Sequence, residues 1–170
     1  MSSTRGPYAQ GTDVPVDRSI AEMRRLLASA GEVRFATEEG PARYSLMAEL
    51  GGRWYAFHVD RPDWHDWKQF FSRGSLWERT EREAEKMAAA EHRRRWRVLC
   101  FLLKAKVVAT EDGTVDEGDG VNEDLARELI PYVMLPDKST VGDHFEREMA
   151  AFYASGRMPR ALPAPGEGEE

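Results

Sequence analysis

Between residues 43 and 60 apolar and polar side chains alternate: Tyr44, Leu46, Ala48 and Leu50 lead into Gly51-Gly52, and Tyr55, Phe57 and Val59 follow. A period of two puts each set on one side of a strand, and a Gly-Gly pair suits a tight hairpin. With Val33 and Phe35 upstream, the stretch predicts a three-stranded antiparallel meander. Such a sheet is apolar on one face and needs a covering layer.

Elsewhere the spacing is helical. "SIAE" has the Ser-x-x-Glu form of a capping box, so a first helix is expected from Ser19 through Met23, Leu26 and Leu27 to a stop at Gly31. Ser75 with Glu78 repeats that form, and no proline or glycine follows until Gly113. A helix from about Leu76 to Ala109 is therefore predicted, roughly 50 Å long. Asn122 can cap a short helix to about Ile130, which Pro131 ends. "YVMLPDKSTV" reads as a strand, a Pro-Asp turn and an extended lead-in. Thr140 with Asp143 opens a last helix running to about Ser155, before Gly156. The fold class expected is α+β: a three-stranded antiparallel meander covered by a long helix, with a small C-terminal strand-turn-helix unit. Residues 1–13 and 161–170 are too polar and Pro/Gly-rich to offset their ordering entropy and are expected to be disordered tails around a single domain at 14–160.

At about 100° per residue the long helix divides into faces. Trp77, Ala84, Ala88, Leu99 and Leu102 share one side, expected against the sheet. Arg79, Arg82, Lys86, Arg93, Arg97 and Lys104 project nearly opposite, with Arg94 flanking them. Arg95 and Lys106 fall on the apolar side, where an unpaired charge is costly. The expectation is that Arg95 reaches back to Glu91 and Lys106 snorkels past the sheet edge, a ligand being the alternative.

Composition adds limits. The chain has 170 residues, 41% of them hydrophobic, enough for a real core. Cys100 is the single cysteine, so no internal disulfide or thiolate cluster is available, which fits a cytoplasmic protein. The longest apolar run, Val98 to Leu103, is far short of the roughly 20 residues of a membrane span. The formal net charge of −6 argues against nucleic-acid binding until its distribution is considered. Residues 93–106 carry Arg93, Arg94, Arg95, Arg97, Lys104 and Lys106 without one acid, whereas 111–128 are crowded with acids and hold only Arg127. Local field, rather than the sum, steers a ligand. The basic stripe can meet phosphates, or the acidic segment can fold over it.

Candidate chemistry is sparse. Trp64, Trp67 and Phe71 have helical spacing and can offer a platform for stacking bases, or form a satellite of the core. "HVDRPDWHD" gathers His58, Asp60, Asp63, His65 and Asp66 without the spacing of a metal site. Asp112, Thr114, Asp116 and Glu123 imitate a calcium loop, yet Glu117 stands where that loop needs glycine. No nucleophile elbow, phosphate loop or dinucleotide fingerprint is present. No catalytic residue, metal or cofactor is assigned, and the chain is read as nonenzymatic.

Four stretches, "VPVDRSIAEMRRLL" (14–27), "RRRWRVLCFLLKAK" (93–106), "VMLPDKSTVGDHF" (133–145) and "GRMPRALP" (156–163), together resemble an uncharacterised family of small phage and prophage proteins. Its members carry a helix of the form R-W-R-x-L-x-x-x-x-K-A-K and a later L-P-D-G-x-T-V-G-E segment. Arg95, Trp96, Arg97, Lys104 and Lys106 match the first motif, and Leu135, Pro136, Asp137, Thr140, Val141 and Gly142 the second. Lys138 stands in place of the turn glycine, Asp143 in place of the glutamate, and the acidic stretch 111–124 is longer than the family's. The resemblance implies a host-cytoplasmic phage protein associated with DNA replication and recombination. The expected function is accordingly a DNA-contacting accessory, on single- or double-stranded DNA, through Arg79, Arg82, Lys86, Arg93, Arg94, Arg97 and Lys104, assisted by Trp64 and Trp67. The alternative is a module that binds a phage or host replication or recombination protein through its acidic loop or aromatic connection.

Overall fold

The alternation at 43–60 folds as expected. In the structure, a computed structural model, residue 9 and residues 11–31, 34–72, 75–110 and 122–156 are described. Strands β1 (Arg34–Glu39), β2 (Arg43–Leu50) and β3 (Arg53–Asp60) pair antiparallel in the order β1-β2-β3. Gly51 and Gly52 both take positive φ, 54° and 70°, the backbone that a two-residue hairpin requires and glycine adopts without a Cβ penalty. The register sets Leu46 opposite Phe57 and Ala48 opposite Tyr55, all four buried. Ser45 opposite His58 and Met47 opposite Ala56 then occupy the other face.

The apolar face meets two helices. Helix α1 (Val16–Ala28) lies along α2 (Glu81–Ala109), and Met23 and Leu27 join Trp96, Cys100, Leu103 and Val107 over the sheet. The helices run in the same direction, since Thr12 meets Arg93 while Glu22 meets Arg97. Helix α1 begins earlier than expected. Pro15, with φ preset at −60°, stands at its N-cap, and Ser19 is a buried interior residue rather than a cap. Helical spacing of Val16 and Ile20 with Met23 and Leu27 against the core outweighs the local capping signal.

Helix α2 begins later than expected, and the correction moves two residues, Trp77 and Arg79. Residues 75–78 do not open the helix; β4 (Gln69–Ser72) and β5 (Ser75–Glu78) form a separate hairpin, pairing Phe70 with Trp77 and Phe71 with Leu76. Cross-strand aromatic pairing takes precedence over helical spacing here. Thr80 caps α2, its hydroxyl accepting from the Glu83 N–H while the Glu83 carboxylate accepts from the Thr80 N–H. Trp77 therefore leaves the expected core face and is 57% exposed, and Arg79 is no longer on the rod. At 29 residues the helix is about 43 Å long.

The buried face of α2 also rotates. Ala84 and Ala88 are buried in its first half, then Trp96, Cys100, Leu103 and Val107, roughly a third of a turn away. Leu99 is only half-buried and Leu102 is exposed, contrary to the single face expected. The helix packs against the 3₁₀ turn Trp64–Trp67 as well as against α1 and the sheet, and these neighbours call on different sides of it.

Helix α3 (Glu123–Glu128) is capped by the Asn122 side chain, as its sequence predicts, and Asn122 also donates to the Thr110 carbonyl that ends α2. A 3₁₀ turn, Ile130–Tyr132, follows. The expected strand at 132–135 reduces to isolated bridges, Val133 with Tyr55 and Met134 with Thr140, which cover the free edge of β3. Helix α4 (Val141–Ser155) has the expected Thr140–Asp143 capping box and ends at Gly156 with φ 68°. Only its first residue, Val141, is buried.

Candidate functional site

Of the expected six-cation stripe, five members lie on α2 and Arg79 falls outside it. Arg79 precedes α2; its guanidinium lies 3.8 Å from the Phe70 ring centroid and donates to the Trp67 carbonyl at 2.9 Å. Arg82 and Lys86 are exposed on α2 but sit among Glu81, Glu83 and Glu85. Arg94 is held by both carboxylate oxygens of Glu91, at 2.6 and 2.7 Å, which leaves it little capacity for a phosphate. Arg95 reaches the same Glu91 at 3.0 Å and the Asp60 carbonyl at 3.2 Å, and Lys106 pairs with Glu128 at 2.7 Å. Both cations of the apolar side are thus structural, Arg95 through the partner its spacing predicted.

Arg97 has the most consequential partner. Its guanidinium donates to Glu22 of α1 at 2.5 Å and lies 4.4 Å from the Phe101 ring centroid. The hydrogen bond from Arg97 holds the Glu22 carboxyl below its ordinary range, and the fields of Arg97 and Lys104 add to it. Arg18 and Arg25 stand four residues before and three after Glu22, so they neighbour it on α1, and both are exposed. Arg93, one turn before Arg97, is half-buried and its Nε lies 3.5 Å from the Thr12 carbonyl. A basic ridge results along the α1–α2 seam: Arg97 and Lys104 act on the Glu22 carboxylate, Arg93 precedes Arg97 by one turn, and helical spacing puts Arg18 and Arg25 on the Glu22 side of α1. Arg18 and Arg25 were missed by sequence reasoning. Their spacing about Glu22 was visible, but which side of α1 would turn toward α2 was not.

The aromatic candidates separate from this ridge. Trp64 and Trp67 lie in the 3₁₀ turn, both half-buried, and Trp64 stacks on His65 with 3.7 Å between centroids. The Asp63 carboxylate accepts from the backbone N–H of His65 at 2.9 Å and contacts His65 Nδ1 at 2.7 Å, so these two residues cap the turn. Among the described residues no group of three or more His, Cys, Asp or Glu side chains is arranged to hold a metal ion. Residues 111–121 of the acidic segment 111–124, with Asp112, Thr114 and Asp116 of the calcium-like set, lie outside the described residues, as do 157–170 and most of the expected N-terminal tail; Glu123, the fourth of that set, opens α3 and lies 3.6 Å from Arg127. Burial pushes the Cys100 thiol above its ordinary pKa, which keeps it protonated and unreactive.

Leu76 and Trp77 project from the hairpin, and on α4 Phe145, Met149 and Tyr153 are exposed. With Val141 and the half-buried Phe152, these α4 residues fall on one side of the helix. No helix among the described residues is long and apolar enough to cross a membrane. Comparison with protein-family models, with curated proteins and with solved structures finds no match.

Proposed function

We propose that this chain is a nonenzymatic accessory of phage DNA metabolism that contacts DNA through the ridge between α1 and α2. The observation that carries the reading is the placement of Arg18, Arg25, Arg93 and Lys104 along the seam that the Arg97–Glu22 pair joins. Arg97 spends its charge locally and fixes the two helices, while the exposed Arg18, Arg25 and Lys104 are the groups left to meet phosphates. Arg82 and Lys86 extend the contact along α2, and Arg79 and Arg94 drop out of it. Such contacts position a backbone and carry no base sequence.

The test is binding of single- and double-stranded oligonucleotides at two salt concentrations. Five phosphate contacts, from Arg18, Arg25, Lys104, Arg82 and Lys86, predict a log–log salt slope of about −4.5 on duplex DNA. Arg18→Glu with Arg25→Glu and Lys104→Glu should abolish binding while leaving unfolding cooperative. Absence of binding at low salt, or an unchanged affinity in the triple variant, overturns the reading.

One observation favours the second reading, a protein-binding module. Among the described residues the apolar side of α4 is buried only at Val141, with Phe145, Met149 and Tyr153 exposed, and Glu146 and Glu148 lie at its edges. A second copy would bring these acids together, so the occupant that fits is a partner helix with an apolar face and basic edges. A model Leu/Lys amphipathic peptide should then bind better than its Leu/Glu counterpart, and Phe145→Ala with Met149→Ala should remove the difference. Equal weak binding of both peptides would end this reading.

A further inference from the structure

The face of the sheet turned away from α1 and α2 carries a cavity of about 240 Å³. Met47 and Ala56 of the sheet, Met134 of the edge segment, Ser45 and His58 are among the residues that line it. Register explains the composition: positions 43, 45 and 47 of β2 and 56 and 58 of β3 alternate with the buried set, so they share this second face.

The rim holds two cations, Arg43 from the start of β2 and Lys138 from the turn before α4. Both are exposed, and neither has an acidic partner within ion-pair distance among the described residues. Lys138 has a φ of 64°, a left-handed conformation that a residue with a Cβ adopts at a cost. A lysine kept in that conformation at the mouth of a cavity fits the rule that backbone strain collects at ligand sites. Deeper in, Ser45 Oγ lies 2.9 Å from His58 Nδ1. Burial, with Arg43 adding, lowers the His58 pKa, so the ring is neutral at pH 7. The pair then offers a hydroxyl that can donate or accept without adding charge. Glu38 is the one carboxylate in the lining.

We propose that this cavity binds a small organic anion, a carboxylate or phosphate monoester with a short apolar body. The anionic head would meet Arg43 and Lys138 at the rim, with Ser45 as an orienting hydrogen-bond partner, and the body would rest on Met47, Ala56 and Met134. The volume lies just under the roughly 300–1,000 Å³ usual for small-molecule sites, so a nucleotide-sized ligand is too large. The site is on the opposite side of the sheet from the cationic ridge, and its ligand need have no connection with DNA.

The probes are benzoate and phenyl phosphate, with benzyl alcohol as the neutral analogue and inorganic phosphate as the headless one, titrated into the full chain and followed by amide chemical shifts. Saturable binding of benzoate or phenyl phosphate is expected, with shifts at Ser45, Met47 and His58. Benzyl alcohol and inorganic phosphate should each bind at least tenfold more weakly. Arg43→Ala should weaken the anion tenfold or more. Lys138→Gly should do the same while keeping a cooperative unfolding transition, because glycine accepts the left-handed turn. The proposal is overturned if no probe saturates at millimolar concentration, if the alcohol binds as well as the acid, or if both variants bind like the parent. Inorganic phosphate binding as tightly as phenyl phosphate would also overturn it, since a bare charge patch needs no cavity.

Discussion

The indole N–H of Trp96, a side chain only 1% exposed, donates to Nε2 of His92 at 2.9 Å. His92 accepts only while that nitrogen is unprotonated. Burial, chiefly, and then the charges of Arg61 and Arg95 hold its pKa below the ordinary 6.5. In the unfolded chain the imidazole takes up its proton near pH 6.5, whereas the folded protein resists it. The stabilisation is therefore complete above about pH 6.5 and is lost as the pH falls from there through the folded-state pKa. The carboxylates with depressed pKa, Glu22, Asp63, Glu83, Glu91, Asp137 and Asp143, lose their contribution only below 4.5, so decline between pH 6.5 and 5 reports the histidines. Urea unfolding across this range should show stability falling with pH. His92→Gln, which retains an acceptor oxygen, should flatten the slope and leave the part due to His58. At pH 7, His92→Leu strands the Trp96 N–H and should cost ~1–3 kcal/mol.

Glu22 stabilises the fold through Arg97, and on the proposed DNA-contact reading its charge opposes phosphates at the ridge. Glu22→Gln should therefore separate the two properties. Loss of the interhelical ion pair is expected to lower stability by about 1 kcal/mol, since both side chains are partly exposed. Oligonucleotide affinity at low salt should rise. A fall in affinity would show that Glu22 is not the negative centre of a phosphate-binding surface.

Ser19 has the sequence appearance of a cap and the structural position of a buried defect. Its Oγ is enclosed with no hydrogen-bond partner among the described residues. A true N-cap serine loses ~1 kcal/mol on replacement by alanine. Ser19→Ala should instead hold or gain stability, by up to ~1 kcal/mol, in chemical denaturation.

Thr140 is the opposite case. It is 5% exposed, and its hydroxyl accepts from the Asp143 N–H at 3.1 Å while the Asp143 carboxylate accepts from the Thr140 N–H at 2.9 Å. Thr140→Ala should destabilise by about 1–2 kcal/mol. The neighbouring Gly142→Ala should be at least as harmful, because its Cβ would come within 2.9 Å of the Pro131 carbonyl oxygen, a backbone atom that cannot swing aside.

The sheet, its Gly51-Gly52 hairpin, the Asn122 and Thr140 caps and the Glu91 partner of Arg95 were legible in the chain. Each rests on contacts within a few residues or on a strict alternation, and local physics of that kind does not depend on what packs alongside. Where two local signals competed, the tertiary neighbours chose. The Ser-x-x-Glu pattern at Ser19 and at Ser75 gave way, in one case to core packing of Val16 and Ile20, in the other to pairing of Phe70 with Trp77. The same holds for the candidate sites. Sequence placed Arg97 and Lys104 on a basic edge, but only the parallel packing of α1 on α2 brought Glu22, Arg18 and Arg25 to them. Alternation likewise sent Ser45 and His58 to the second face of the sheet, and only the return of residues 133–138 along the edge of β3 closed a cavity over them. Electrostatic fields and cavities are sums over neighbours distant in sequence, and the chain alone does not say who those neighbours are.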